Sequence, residues 1–247
     1  MKRIYFLHHL GLGDHLICNA IYRHYSKQSD VVVLPVKERN QQTIEDMLMD
    51  LENVILLPLP DTNSDFFMLQ ESTRHEKTGY NIIKLGYFGE NFLKDRNLRY
   101  DVNFYQQANV DFEKRWTQFY YQRDQDAEYD LYKKLCGNFK EGEYIFLHED
   151  SRRGFTIDRK LVPSEYKIIT PIPPSLKDAK NISSHFFHYG YILEHAAEIH
   201  CIESSFAALI EGLTLKNKKY AHRYARPEAS QDYCHEFTYK TGWEVII

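Results

Sequence analysis

Arg3-Ile-Tyr-Phe-Leu-His-His-Leu-Gly-Leu-Gly-Asp-His-Leu-Ile-Cys-Asn-Ala-Ile-Tyr-Arg23 is the stretch from which the fold is read. Ile4 to Leu7 is an apolar run of strand length, Gly11 and Gly13 interrupt it, and Leu16, Ile17, Ala20 and Ile21 return at helical spacing. Strand, glycine turn and helix in that order form the entry unit of a ligand-binding α/β domain. Glycines let a backbone approach a ligand closely, and the new helix points free N–H groups and its positive dipole end at an anion. Asp14 falls at that turn, where a carboxylate would face the crevice; alternatively the glycines only tighten the turn and Asp14 caps the helix. A dinucleotide fingerprint is excluded, because Leu16 stands where its third glycine belongs. No Gly-Lys-Ser/Thr follows, so this is not a P-loop either.

The next segments repeat the pattern. Val31-Val-Val-Leu34 reads as a buried strand closed by Pro35, residues 37–51 carry Ile44, Met47, Leu48 and Leu51 at helical spacing, and Val54-Ile-Leu-Leu57 is a third strand stopped by Pro58. Alternating strands and helices imply a parallel α/β sheet. A short helix is expected near residues 65–72, a strand over 80–85, and a charged helix over 124–135. Asp124-Gln-Asp126 has the letters of a metal-binding Asp-x-Asp, but inside that charged run it reads as a solvated helix face. Periodicity breaks at Cys136-Gly-Asn-Phe-Lys-Glu-Gly142, which places the division between an N-terminal domain, 1–138, and a C-terminal domain, 139–247.

The second half restarts the alternation. Strands are expected at 144–147, 166–169, 198–202 and 218–222, the second ended by Pro171, Pro173 and Pro174, with helices at 189–197 and 206–213. Two strand exits carry polar groups. His148-Glu-Asp-Ser-Arg-Arg-Gly154 places Ser151, Arg152 and Arg153 after a buried strand, where arginine forks suit phosphate oxygens, although exposed arginines are commonly just solvated. Ser204 and Ser205 open a helix, where their hydroxyls and the first-turn N–H groups would hold a phosphate or ribose; a plain N-cap needs only one of them.

Composition narrows the classes. A net charge of −4 argues against a general nucleic-acid binder. Cys18, Cys136, Cys201 and Cys234 are scattered, which suits a reducing, cytoplasmic setting. Only four apolar residues separate Arg3 from His8, too few for a signal peptide, and no apolar run is long enough for a transmembrane segment. His8, His9, His15 and Cys18 could suggest zinc, but on a strand–turn–helix their side chains are expected to diverge, and no metal is expected. No G-x-S-x-G elbow supports a hydrolase.

Taken together, Gly11-Leu-Gly-Asp14, the strand-exit arginines and Ile199-His-Cys-Ile-Glu-Ser-Ser-Phe-Ala-Ala-Leu-Ile-Glu-Gly-Leu213 resemble GT-B fold glycosyltransferases, most of all the lipopolysaccharide heptosyltransferases. The His148-x-x-x-Arg152-Arg153 element also resembles the nucleotide-binding arginines of the α-1,6-fucosyltransferase type, though at a longer spacing. The resemblance implies two small Rossmann-like domains facing across a cleft, the first for a glycan acceptor and the second for a nucleotide-diphosphate sugar, the donor substrate, with no further cofactor. It implies Asp14 as general base, with Gly11 and Gly13 at the same turn, and inversion at the anomeric carbon. His148, Ser151, Arg152, Arg153, Ser204 and Ser205 would hold the donor. Glu203 replaces the usual Asp-led turn and would hold ribose hydroxyls or sit beside the sugar. The chain is also shorter than is typical of the family. A non-catalytic nucleotide-sugar or glycan-binding protein would keep the donor residues without needing Asp14, and an NAD-linked oxidoreductase is a third reading.

Overall fold

The computed structural model of the chain describes residues 1–89, 98–171, 185–226 and 237–247. Pro173, Pro174 and Cys234 lie outside the described residues. The chain forms two compact units, one built from Met1–Gln122 together with Phe237 and Thr238, the other starting at Arg123 and including the stretch from Tyr239 to Ile247.

In the first unit, β1 (Arg3–Leu7), β2 (Val31–Lys37), β3 (Val54–Leu59) and β4 (Asn81–Lys84) form a parallel sheet in the order β3-β2-β1-β4. Between them run α1 (Leu12–Ile17), α2 (Asn19–Ser26), α3 (Gln41–Leu48) and α4 (Ser64–Lys77), and after β4 come α5 (Tyr100–Gln107) and α6 (Lys114–Thr117). Both faces of β1 are covered, as its unbroken apolar run requires. Phe6 meets Tyr22 of α2 edge-on at 5.2 Å, while Tyr5 and Leu7 join Val33, Leu59 and Met68 on the opposite face. Tyr5 also donates its hydroxyl to the Met68 carbonyl at 3.0 Å, tying α4 to the sheet.

β2 and β3 run through their prolines instead of stopping at them. Pro35 lies beyond the part of β2 that pairs with β1, where only Val31 to Val33 are engaged, and Pro58 lies on the edge strand β3. A proline is tolerated at such places because no ladder hydrogen bond needs its missing N–H.

The second unit holds α7 (Gln125–Cys136), β5 (Tyr144–His148), β6 (Lys167–Ile169), α8 (Gly190–His195), β7 (Glu198–Cys201), α9 (Ser205–Leu213), β8 (Lys218–His222) and β9 (Trp243–Ile246). Its sheet is parallel with the order β6-β5-β7-β8-β9. Tyr144 and Phe146 face the helices, Tyr144 donating to the Ile192 carbonyl at 2.9 Å and Phe146 lying 5.3 Å from Phe206. Ile145 and Leu147 face the other way, onto Ile157, Val162, Ile202 and Ala225.

The division falls ahead of α7, at Gln122/Arg123, and not at 138/139. Tyr132 of α7 packs 6.1 Å from Tyr144 of β5 and Tyr129 packs 5.3 Å from Tyr191 of α8, so α7 belongs to the sheet that follows it. The break at Gly137 and Gly142, both at positive φ, is a helix-to-strand turn. Asp124 is the N-cap of α7, its carboxylate accepting from Ala127 N at 3.0 Å. The strand β9 carried no sequence expectation. The fully buried carboxylate of Glu211 on α9 holds the segment before it, accepting from Lys240 N, the Thr241 hydroxyl and Trp243 Nε1 at 2.6–2.7 Å.

Candidate functional site

In each sheet the first strand is flanked on both sides by later ones, β1 by β2 and β4, β5 by β6 and β7. The strand order reverses there, and the carboxyl ends of the strands at such a point form the ligand crevice of an open α/β sheet. The exit of β1 carries Gly11, Gly13 and Asp14, and the exits of β5 and β7 carry His148 and Ser204.

At the first switch point Gly11 is the N-cap of α1, so Gly13 and Asp14 lie within its first turn. Asp14 is therefore not the N-cap, and Gly11 has no need of a special backbone conformation, with φ −71° and ψ 143°. What crowds a side chain there is the movable end of Asp14: a Cβ on Gly11 would lie 2.6 Å from Asp14 Oδ2 and displace it. The carboxylate is folded back over the turn, half-buried at the start of a helix whose dipole favours its charge.

Beneath this turn the histidines do not all diverge. His9 leaves for β4's exit, where its Nε2 accepts from Tyr87 N at 3.0 Å and its ring stacks on Tyr87. His8 and His15 converge, their rings 4.8 Å apart and edge-on, both on the Tyr22 hydroxyl at 3.5 and 3.2 Å. Both are fully buried, and His8 Nδ1 and His15 Nε2 have no hydrogen-bond partner among the described residues. Burial holds His15 down to about 3 and His8 well below the ordinary histidine range, so both are neutral. Below the ordinary value of 6.5 the unfolded chain binds protons that these rings refuse. Stability should therefore fall as pH drops from about 6.5, a decline that denaturant midpoints should show to be reduced in a His15→Gln variant.

At the second switch point two loops predicted separately come together. Ser204 is the N-cap of α9, its hydroxyl accepting from Ala207 N at 3.5 Å, and the same oxygen lies 3.0 Å from His148 Nδ1. The His148 ring also packs on Phe206 at 4.8 Å. Desolvation lowers His148 to about 4 against the opposing pull of Asp150 and Glu149. Ser205 follows as the first residue of α9, half-buried. Ser151, Arg152 and Arg153 form an exposed single turn capped by Asp150, which bridges back to Phe155, with Gly154 at φ 78°. The Arg153 guanidinium covers the Phe155 ring at 4.6 Å.

Glu203 is not on the crevice surface. It is 1% exposed, and its Oε1 accepts from Arg223 Nε and Nη2 at 3.2 and 3.1 Å, a buried ion pair between the exits of β7 and β8. Three arginines outside the sequence expectation line the same edge. Arg223 holds Glu203, Arg226 donates to the Glu203 carbonyl at 2.6 Å, and Arg159 grips Glu149 with two nitrogens at 2.7 and 2.9 Å. The available signal was their position, since Arg223 and Arg226 stand one and four residues past the end of β8. Among the described residues no group of three or more His, Cys, Asp or Glu is placed to hold a metal ion, and no helix is long and apolar enough to cross a membrane.

Two Rossmann-like α/β units in one chain, each with its polar loops at the carboxyl edge of a parallel sheet, give the protein the GT-B class of fold, and solved structures that it resembles include glycosyltransferases. One is the glycosyl transferase family 9 structure from Veillonella parvula, TM-score 0.56 at 11% identity, covering 99% of this chain and 86% of that one. Another is the iron-containing dodecameric glycosyltransferase TibC from enterotoxigenic E. coli H10407, TM-score 0.50 at 13% identity. The match takes in 89% of this chain, which spans 58% of TibC. The E. coli heptosyltransferase WaaC with ADP-2-deoxy-2-fluoro heptose also matches, at TM-score 0.45 and 12% identity, over 100% of this chain and 93% of that one. No protein-family model and no curated protein sequence matches the chain.

Proposed function

We propose that the protein is an inverting glycosyltransferase that moves a sugar from a nucleotide-diphosphate sugar to a hydroxyl of a glycan acceptor. The observation that carries this reading is the meeting of His148 and Ser204 at the switch point of the second sheet, in a fold shared with glycosyltransferases. The second unit takes the donor. Its diphosphate lies against the N-terminus of α9, with Ser204 and Ser205 at the first turn and with Arg152 and Arg153, on the exposed turn after the neighbouring strand β5, as its guanidinium groups. Glu203 contributes by fixing Arg223, not by touching ribose.

The first unit takes the acceptor. Asp14 removes the hydroxyl proton as the acceptor oxygen bonds to the anomeric carbon, and the bond from that carbon to the diphosphate oxygen breaks on the opposite face. The leaving diphosphate keeps the electron pair, and guanidinium and N–H groups neutralise the added charge without requiring a metal.

Thermal shift against GDP, ADP, UDP and CDP tests the donor assignment. One of them should raise the melting temperature of the wild-type protein, since a ligand that binds only the folded state stabilises it. Stabilisation by NADH and by none of the four would support the oxidoreductase reading instead. A second expectation concerns Gly11. Its backbone conformation suits any residue, so Gly11→Ala should fold normally while pushing the Asp14 carboxylate aside. Sugar transfer should fall by up to about 10²-fold, the cost of a misplaced catalytic group, at an unchanged melting temperature.

A further inference from the structure

We infer that Ser204 is a positioning residue that locks His148 in the Nε2-protonated form, so that the imidazole presents a neutral N–H donor to an anionic oxygen of the ligand at the second switch point. This rests on the donor assignment above and adds to it the proton state of the site.

Ser204 Oγ stands between one backbone donor and one ring nitrogen. It accepts from Ala207 N as the N-cap of α9, which uses a lone pair. Its own proton has a single acceptor among the described residues, His148 Nδ1 at 3.0 Å. With the serine proton on that lone pair, the ring's hydrogen must sit on Nε2. The reverse tautomer would make Oγ accept twice and turn its proton away from every protein acceptor among the described residues, to solvent at this half-buried position.

Among the described residues His148 Nε2 has no hydrogen-bond partner, and the atom is not buried. The ring is half-buried at the last residue of β5, one face on Phe206, so Nε2 is the atom that meets solvent or a ligand. A donor at that place, beside the N-terminus of a nine-residue helix, selects an acceptor such as a phosphate oxygen. Being neutral near pH 7, it needs no proton from solution to do so. Arg226, donating to the carbonyl of Glu203 at 2.6 Å, fixes the residue before Ser204 and so the lock itself.

The test uses the full chain with 15N-labelled histidine, the His148 signals being assigned by their loss in His148→Gln, and inorganic pyrophosphate as the probe in calorimetry. Wild type should show protonated Nε2 and bare Nδ1 at pH 7. Ser204→Ala should mix the two tautomers and weaken pyrophosphate binding by about tenfold, the scale of one hydrogen bond to a charged acceptor, and Ser204→Thr should restore both. His148→Gln, whose amide N–H can take the place of Nε2–H, should bind better than His148→Phe. A wild-type ring protonated on Nδ1 overturns the inference even if Ser204→Ala does not fold. So does a Ser204→Ala protein with unaltered tautomer and affinity. Failure of wild type to bind pyrophosphate and all four nucleoside diphosphates would instead remove the donor assignment, with the tautomer still read independently.

Discussion

Asp14→Asn should reduce sugar transfer by about 10²–10⁴-fold, the usual contribution of a positioned general base, and leave nucleoside diphosphate binding within about twofold of wild type. The substitution keeps the shape of the side chain over Gly11 and removes the capacity to take a proton. Turnover measured by release of the nucleoside diphosphate, beside its affinity measured by calorimetry, separates the two terms. The split follows from assigning donor binding to the other unit, in the loops after β5 and β7. A binding protein without catalysis would respond differently, because Asp14 would then be a helix-turn carboxylate and nothing more. Unchanged product release in Asp14→Asn would remove the general-base assignment. Loss of nucleotide affinity with turnover retained at saturation would move Asp14 to the donor.

The strands and their order of appearance were legible because buried parallel strands are nearly continuous apolar runs, as in residues 4–7, 31–34 and 144–147. What could not be read was what the turns do with their side chains. Gly11 suggested a backbone open to a ligand, whereas the space above it is taken by the carboxylate three residues later. The convergence of His8 and His15 depends on Tyr22, seven residues beyond His15 and past the join between α1 and α2 at Cys18. No local spacing rule reports such a meeting. Glu203 looked available because it sits at a strand exit, but its partner Arg223 lies 20 residues away, just past the end of the next strand. The pairing of His148 with Ser204 spans 56 residues and arises only because β5 and β7 are neighbours, an order fixed by the placement of β6 on the far side of β5. β9 is illegible for a different reason: Glu244 interrupts the apolar run of Trp243-Glu-Val-Ile246 on this half-buried edge strand, and its anchor is the Glu211 carboxylate on α9.

The largest loss of stability should come from Asp101, at the start of α5. Its carboxylate is fully buried and ion-paired with Arg115, itself 3% exposed, and it also accepts from Val102 N at 2.8 Å, Thr238 N at 2.8 Å and the Thr238 hydroxyl at 3.0 Å. Asp101→Ala takes the Asp101 carboxylate away from the Arg115 guanidinium, which keeps its bond to the Thr238 carbonyl at 3.3 Å and its cation–π contacts with Phe112, Trp116 and Phe237. Removing one partner of a buried pair typically costs about 3–5 kcal/mol, because the other charge stays out of water. Asp101→Asn keeps hydrogen-bond acceptance from Thr238 and should lose less. The double variant Asp101→Ala/Arg115→Met removes both charges and should recover much of the loss, since an apolar chain of similar length suits that aromatic surround. The two tryptophans make the measurement specific: Trp116 belongs to the unit that holds Asp101 and Trp243 to the other. In denaturant titrations of single-tryptophan proteins, the Trp116 transition should move to lower denaturant and the Trp243 transition should move less. Equal shifts of both would mean that the units unfold as one, and no shift in either would show that the Asp101–Arg115 pair contributes nothing to stability.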